Sequence, residues 1–192
     1  QNKPLIYASF DRSPRNLIEK LGPMANNRKL IRALQDVPAP QRTARFLCSL
    51  ALADGTGRIH TLEQYRGQVL IVNFWASWCT PCVRELPGLN RLRENFGNQP
   101  FEILGVNVAE RPRRLTRFLK QHPVDFPVLY DRNSAAFDAW NVTVLPTSFV
   151  VDRDGNIHYR ATGALEWDSM EMIGIIDELL AGDNNTPMAA TP

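Results

Sequence analysis

Cys79 and Cys82 stand three positions apart with Thr80 and Pro81 between them, and Glu85 follows one helical turn later. Two thiols at this spacing can pass a pair of electrons by making and breaking a disulfide, provided one is held as a thiolate. The neighbouring residues supply that condition. Val69, Leu70, Ile71, Val72, Phe74 and Trp75 form a β-branched and aromatic run with almost no alternation, as in a central strand covered on both faces. Directly after the cysteines, Val83, Leu86, Leu89, Leu92 and Phe96 recur at helical spacing. Cys79 therefore opens a helix, where unpaired N–H groups and the positive end of the macrodipole stabilise an anion. It is the expected nucleophile.

Residues three apart on a helical turn face the same way, and disulfides accept Cα separations of about 4.4 to 6.8 Å, so Cys82 can close a bond to Cys79. Pro81 fits a first turn and withholds one donor from the thiolate, which makes the pair less oxidising. Glu85 lies further along the same face, placed to take the Cys82 proton directly or through a water. Other readings stand beside these. A zinc site wants four ligands, and the remaining candidates are Cys48 and the scattered His60, His122 and His158, so no metal is expected. A purely structural bridge across four residues would constrain the unfolded chain little. An ordinary solvated glutamate remains the alternative for Glu85.

The positioning elements follow in order. Phe46 to Ala53 reads as a hairpin arm turning at Asp54 to Gly57, with Cys48 in the core or, as the alternative an odd cysteine count keeps open, a redox or partner-linking thiol, and Thr61 to Tyr65 as a short helical turn. Phe101 to Val108 is a second apolar strand, so strand, helix, strand gives a right-handed parallel crossover. Pro112 to Gln121 is a helix whose Arg111, Arg113, Arg114, Arg117 and Lys120 read as its wet face, opposite Leu115, Phe118 and Leu119. Phe126 to Tyr130 is a strand and Ser134 to Trp140 a short helix. Pro146 opens the strand Thr147 to Val151, where a proline loses no ladder bond. Asp154-Gly155 turns into Asn156 to Thr162, and Leu165 to Ala181 is a final amphipathic helix.

With 192 residues, 44% apolar and 22% charged, the chain is long enough for one good-sized core. The net charge of +2 is uneven: residues 1–45 hold nine Lys/Arg against three Asp/Glu, the remainder thirteen against seventeen. Residues 1–40 read as a basic extension with helical signals at Pro14 to Leu21 and Asn27 to Val37, followed by a linker through Gln41. The extension either packs on the main domain or serves as a dimer or partner contact, and the oligomeric state is open. It lacks the basic and aromatic interleaving of a nucleic-acid surface. Residues 41–181 form the main domain, and 182–192 are expected to be disordered. No apolar run reaches the roughly 20 residues of a membrane span. The chain starts at Gln1 without methionine, so a removed leader or a trimmed chain is expected.

Several motifs in register give a resemblance. FWASWCTPCVRELP, VNVAE (106–110), DFPVLYD (125–131) and VLPTSFVVDRDG (144–155) resemble the thioredoxin superfamily, specifically the TlpA/ResA-like branch of extracytoplasmic thiol:disulfide oxidoreductases, which includes the cytochrome c maturation reductases. Asn73 stands where cytoplasmic thioredoxins carry a buried aspartate, Glu85 in the place of this branch's active-site glutamate, and Pro87 at the superfamily's helix kink. The resemblance covers roughly Phe46 to Leu180. It implies an α/β thioredoxin-like fold, with a central mixed sheet flanked by helices and preceded by an N-terminal hairpin. It also implies a cis Leu145–Pro146 bond facing the dithiol, a trans strand-entry proline being the alternative. The edge at Val144 and Leu145 would pair with a partner backbone, and Trp78, Thr80, Pro81, Pro146 and Thr147 would complete that surface. The implied partners are protein disulfides and an upstream thiol donor, in the periplasm or another extracytoplasmic compartment. No cofactor beyond the Cys79–Cys82 pair is implied. Pro81 and the resemblance favour a reductant; a disulfide-forming oxidase and a redox-inert scaffold are the alternatives. A peroxidase of the related peroxiredoxin fold would need Thr three residues before its cysteine, where this chain has Ala76.

Overall fold

The computed structural model describes residues 7–9, 45–47 and 50–182. The helical segments expected within residues 14–37, the linker, Cys48 and the tail beyond 182 lie outside the described residues.

Strand β5 (Val69–Trp75) is the centre of a five-stranded sheet, and all seven of its residues are buried. Its parallel neighbour β6 (Phe101–Val108) pairs in turn with β7 (Val128–Asp131), also parallel. On the other side, β8 (Thr147–Val151) runs antiparallel to β5, and β9 (Ile157–Thr162) runs antiparallel to β8. The order is therefore β7-β6-β5-β8-β9. Helix α1 (Thr80–Phe96) links β5 to β6, α2 (Pro112–Gln121) links β6 to β7, and α3 (Ala135–Ala139) follows β7. Helix α4 (Met170–Ala181) ends the described chain.

Strand alternation divides the core in two. Val69, Ile71 and Trp75 face α1 and α4 in a cluster with Leu86, Leu89, Leu92, Leu115, Ile176 and Leu179. Leu70, Val72 and Phe74 face the opposite layer, with Leu104, Leu129, Trp140 and Phe149. Apolar partners on both faces explain why the β5 sequence shows no alternation. By the same parity Asn73 points toward α1, among apolar side chains. That placement builds part of the site.

Three expected boundaries shift for physical reasons. The segment Phe46 to Ala53 is not one arm: β2 (Arg45–Leu47) pairs antiparallel with β1 (Tyr7–Ser9), while β3 (Ala51–Ala53) pairs with β4 (Ile59–Thr61). The strand expected at Phe126 starts at Val128, because Pro127 has no N–H for the ladder. The last helix begins at Met170 rather than Leu165. Ser169 caps it, its Oγ accepting from Met172 N at 3.4 Å, and residues 165–168 cross α1 instead.

Candidate active site

Strand β5 ends at Trp75, and four residues later Cys79 occupies the N-cap of α1 with extended backbone (φ −88°, ψ 100°). Its Sγ accepts from Cys82 N at 3.3 Å, which answers one of the donors a helix start leaves unpaired. The two sulfurs are bonded to each other across a Cα separation of 5.3 Å. Their exposure differs: Cys79 retains 6% while Cys82 is fully covered. Cys79 is thus itself nearly covered, and a partner can reach the pair only through the small part of it that remains exposed. Trp78, Thr80 and Pro81 are exposed around that opening.

Glu85 is not a solvated glutamate. It is 4% exposed and held by three donors from distant parts of the chain. Asn73 Nδ2 donates to Oε1 at 2.7 Å, while Leu165 N at 3.2 Å and Trp167 Nε1 at 3.1 Å donate to Oε2. Asn73 Nδ2 also donates to Ser148 Oγ at 2.9 Å, so β5 and β8 orient the amide together. Burial pushes the Glu85 carboxyl above its ordinary pKa, and the bonds from Asn73, Trp167 and Leu165 pull back against it. Burial prevails, so the carboxyl holds its proton more tightly than an exposed glutamate does.

The Leu145–Pro146 bond is cis. Thr147 pairs with Phe74. The chain entering β8 from Pro146 and the chain leaving β5 toward Cys79 thus share one end of the sheet. Val144 is 48% exposed beside the covered Pro146. Thr147, grouped above with the partner-facing residues, is fully covered, and its Oγ1 donates to Val144 O at 2.7 Å. Its hydroxyl shapes the turn and is not presented to a partner.

Comparison with known proteins shows the family to which the chain belongs. The sequence profile described as "AhpC/TSA family" matches residues 39–160. The chain belongs to that family. It is 38% identical over 120 residues to "Thiol-disulfide oxidoreductase ResA" of Geobacillus kaustophilus, covering 62% of this chain and 69% of that one. With the protein of the same name from Bacillus subtilis it shares 33% over 117 residues, covering 61% and 65%. The crystal structure of a putative thiol:disulfide interchange protein DsbE from Chlorobium tepidum superposes with a TM-score of 0.64 at 30% identity, covering 69% of this chain and 93% of that one. The chain is a ResA-like thiol-disulfide oxidoreductase of the thioredoxin superfamily.

Within this ResA-like frame, the fold brings Cys79, Cys82, Trp78, Thr80, Pro81 and the Val144–Pro146 turn to one end of the sheet, with Glu85 buried behind them. Sequence reasoning missed three contributors. Leu165 and Trp167 were assigned to a helix, yet they supply two of the three donors to Glu85. Glu110, noted only as the end of VNVAE, is 8% exposed and accepts from Ser77 N at 2.7 Å, Ser77 Oγ at 2.5 Å and Asn107 Nδ2 at 2.8 Å. It ties the loop before Trp78 and Cys79 to the end of β6. An acid two residues after the end of an apolar strand was the available signal.

Proposed function

We propose that the protein is a reductant of protein disulfides in an extracytoplasmic thiol pathway such as cytochrome c maturation. Cys79 thiolate attacks one sulfur of a partner disulfide, forming a mixed disulfide and releasing the other sulfur as a thiolate. Glu85 takes the proton from Cys82, whose thiolate attacks Cys79 Sγ and expels the second partner sulfur. Two electrons pass to the partner, and the Cys79–Cys82 bond reforms. Trp78, Thr80, Pro81 and the Val144–Leu145 edge hold the partner, and an upstream thiol donor resets the enzyme. The extracytoplasmic assignment is supported by the resemblance to ResA and DsbE proteins and rests on it alone.

The single observation that carries the direction is the small number of donors aimed at Cys79. Among the described residues its Sγ accepts one hydrogen bond, from Cys82 N, and Pro81 offers none. A thiolate with little stabilisation leaves the disulfide form favoured, and so gives a reducing pair. The helix N-terminus favours the thiolate and supports the second reading, a disulfide-forming oxidase. The reduction potential of the Cys79/Cys82 pair decides between them. A value well below about −200 mV is expected, whereas one near the roughly −120 mV of a strong oxidant would overturn the reductant. Insulin reduction driven by a small thiol should disappear in Cys79→Ser; turnover that persists would remove Cys79 from the mechanism.

A further inference from the structure

Helix α2 carries its cations where helix physics disfavours them. Arg113, Arg114, Arg117 and Lys120 are exposed on it, Arg111 is its exposed N-cap, and no acidic residue occurs from 111 to 124. Three of the five crowd the N-terminal turn, whose backbone end is already positive. Arg113 and Arg117 are four apart and Arg117 and Lys120 three apart, spacings at which like charges repel. Among the described residues, Arg114 alone of the five has an ion-pair partner, Glu110 at 3.3 Å. A merely solvated face mixes signs, as near α1, where Arg91 pairs with Asp168 and Arg93 with Glu102. Beyond residue 45 the chain has thirteen Lys/Arg against seventeen Asp/Glu, so five of those thirteen gathered on one helix make a positive patch on an otherwise acidic domain.

The patch has a fixed place. Glu110, immediately before the N-cap, grips Ser77, two residues from Cys79. Phe118 of α2 packs on Trp75, the last residue of β5, with ring centroids 5.6 Å apart. The helix start is therefore fastened to the loop that delivers the dithiol.

We infer that α2 is the docking face for an acidic segment of the protein whose cysteines meet Cys79. The inference rests on the exchange chemistry proposed above and adds the charge of the partner. The unfavourable local arrangement of cations is compensated when carboxylates arrive, and the opposed charges steer the encounter. A protein segment fits better than a membrane surface, because the helix start adjoins an opening that another polypeptide must reach.

The test measures the second-order rate at which the reduced protein attacks peptides whose single cysteine is an activated mixed disulfide with a neutral aryl thiol. Cys79 bonds to the peptide sulfur, and the released aryl thiolate is read by absorbance. Three peptides differ only in flanking residues: glutamates, serines or lysines. At low ionic strength the acidic peptide should react about tenfold or more faster than the neutral one, and the lysine peptide slower. That ordering should collapse as the Debye length falls from about 30 Å at 0.01 M salt to about 3 Å at 1 M. Arg113→Glu with Arg117→Glu should invert the acidic-to-basic ratio. Equal rates for the three peptides, or a ratio unchanged in the double variant, would overturn the inference while leaving the exchange chemistry standing. Failure of all three peptides to react would overturn the nucleophile, and the inference with it. Sedimentation with phosphatidylserine vesicles without any acidic-peptide preference would overturn it in favour of a membrane surface.

Discussion

Glu85 is a carboxyl in an apolar interior, and its charge is set by a contest between burial and three donors. Burial prevails, so the folded protein binds this proton more tightly than the unfolded chain does. The consequence for stability has a definite sign. A raised folded-state pKa adds stability that is complete below the ordinary glutamate range, and this is lost as pH rises through the raised value. Compared with Glu85→Gln, the wild type should therefore lose stability progressively from about pH 4.5 upward, as followed by urea midpoints across that range. Parallel curves would mean that the carboxyl does not titrate anomalously. The same proton has a catalytic prediction. Glu85→Gln should slow the attack of Cys82 on the mixed disulfide by at least about tenfold and move the Cys82 titration, while first attack by Cys79 changes little. Rapid quenching should then show the mixed disulfide accumulating, and an unaltered resolution rate would exclude Glu85 as the proton acceptor. Cys79, Cys82 and Glu85 were legible because they share one helix, whose periodicity fixes which side chains face the same way. The donors from Leu165 and Trp167 were not, since they come from 80 and 82 residues downstream on an irregular segment that no periodicity announces.

The elements that hold this site are constrained by shape as much as by polarity. Gly105 lies in β6, opposite Asn73 of β5 in the ladder. A Cβ there would stand 2.8 Å from Phe126 Cε2 and 3.1 Å from Trp75 Nε1, both on buried rings. Two effects oppose one another in Gly105→Ala. Removing backbone freedom from the unfolded chain gains roughly 0.5–1 kcal/mol, while overpacking a filled core costs about 1–3 kcal/mol. Overpacking should prevail, because neither ring faces an open space. The expected outcome is a lower urea midpoint, and with it slower disulfide exchange, since Trp75 begins the passage to Cys79. An unchanged midpoint would show that the rings can retreat. Sequence patterning located β5, β6, α1 and α2 because long apolar runs and helical stripes leave few alternatives. It misplaced the start of α4, where the apolar Leu165 and Trp167 imitate the helical stripe while covering Glu85. It also fused β2 with β3, which lie on either side of Cys48 in one short apolar stretch and yet pair with different strands.

At the scale of the whole molecule, the buried apolar residues of the two core clusters, among the described residues, all fall between Leu50 and Leu179. Strand β1 is the described part of residues 1–40. It pairs with β2 over three positions, in a two-stranded sheet separate from the central five. An isolated pair of strands that short is marginal in water, so its loss should subtract little from a domain whose hydrophobic layers lie elsewhere. A chain beginning at residue 41 is therefore expected to unfold cooperatively, with a stability within about 1 kcal/mol of the full chain by the size of one marginal hairpin. It should also retain insulin reduction, because Cys79, Glu85 and the Pro146 turn draw every described contact from residues beyond 49. The deletion also removes seven of the nine cations that precede residue 46 and leaves the α2 patch intact. The preference of the shortened chain for an acidic peptide should thus survive, which separates the charge of the arm from the charge beside the dithiol. Loss of cooperative unfolding would show instead that the first forty residues are structurally part of the domain, and the boundary at 41 would have to move.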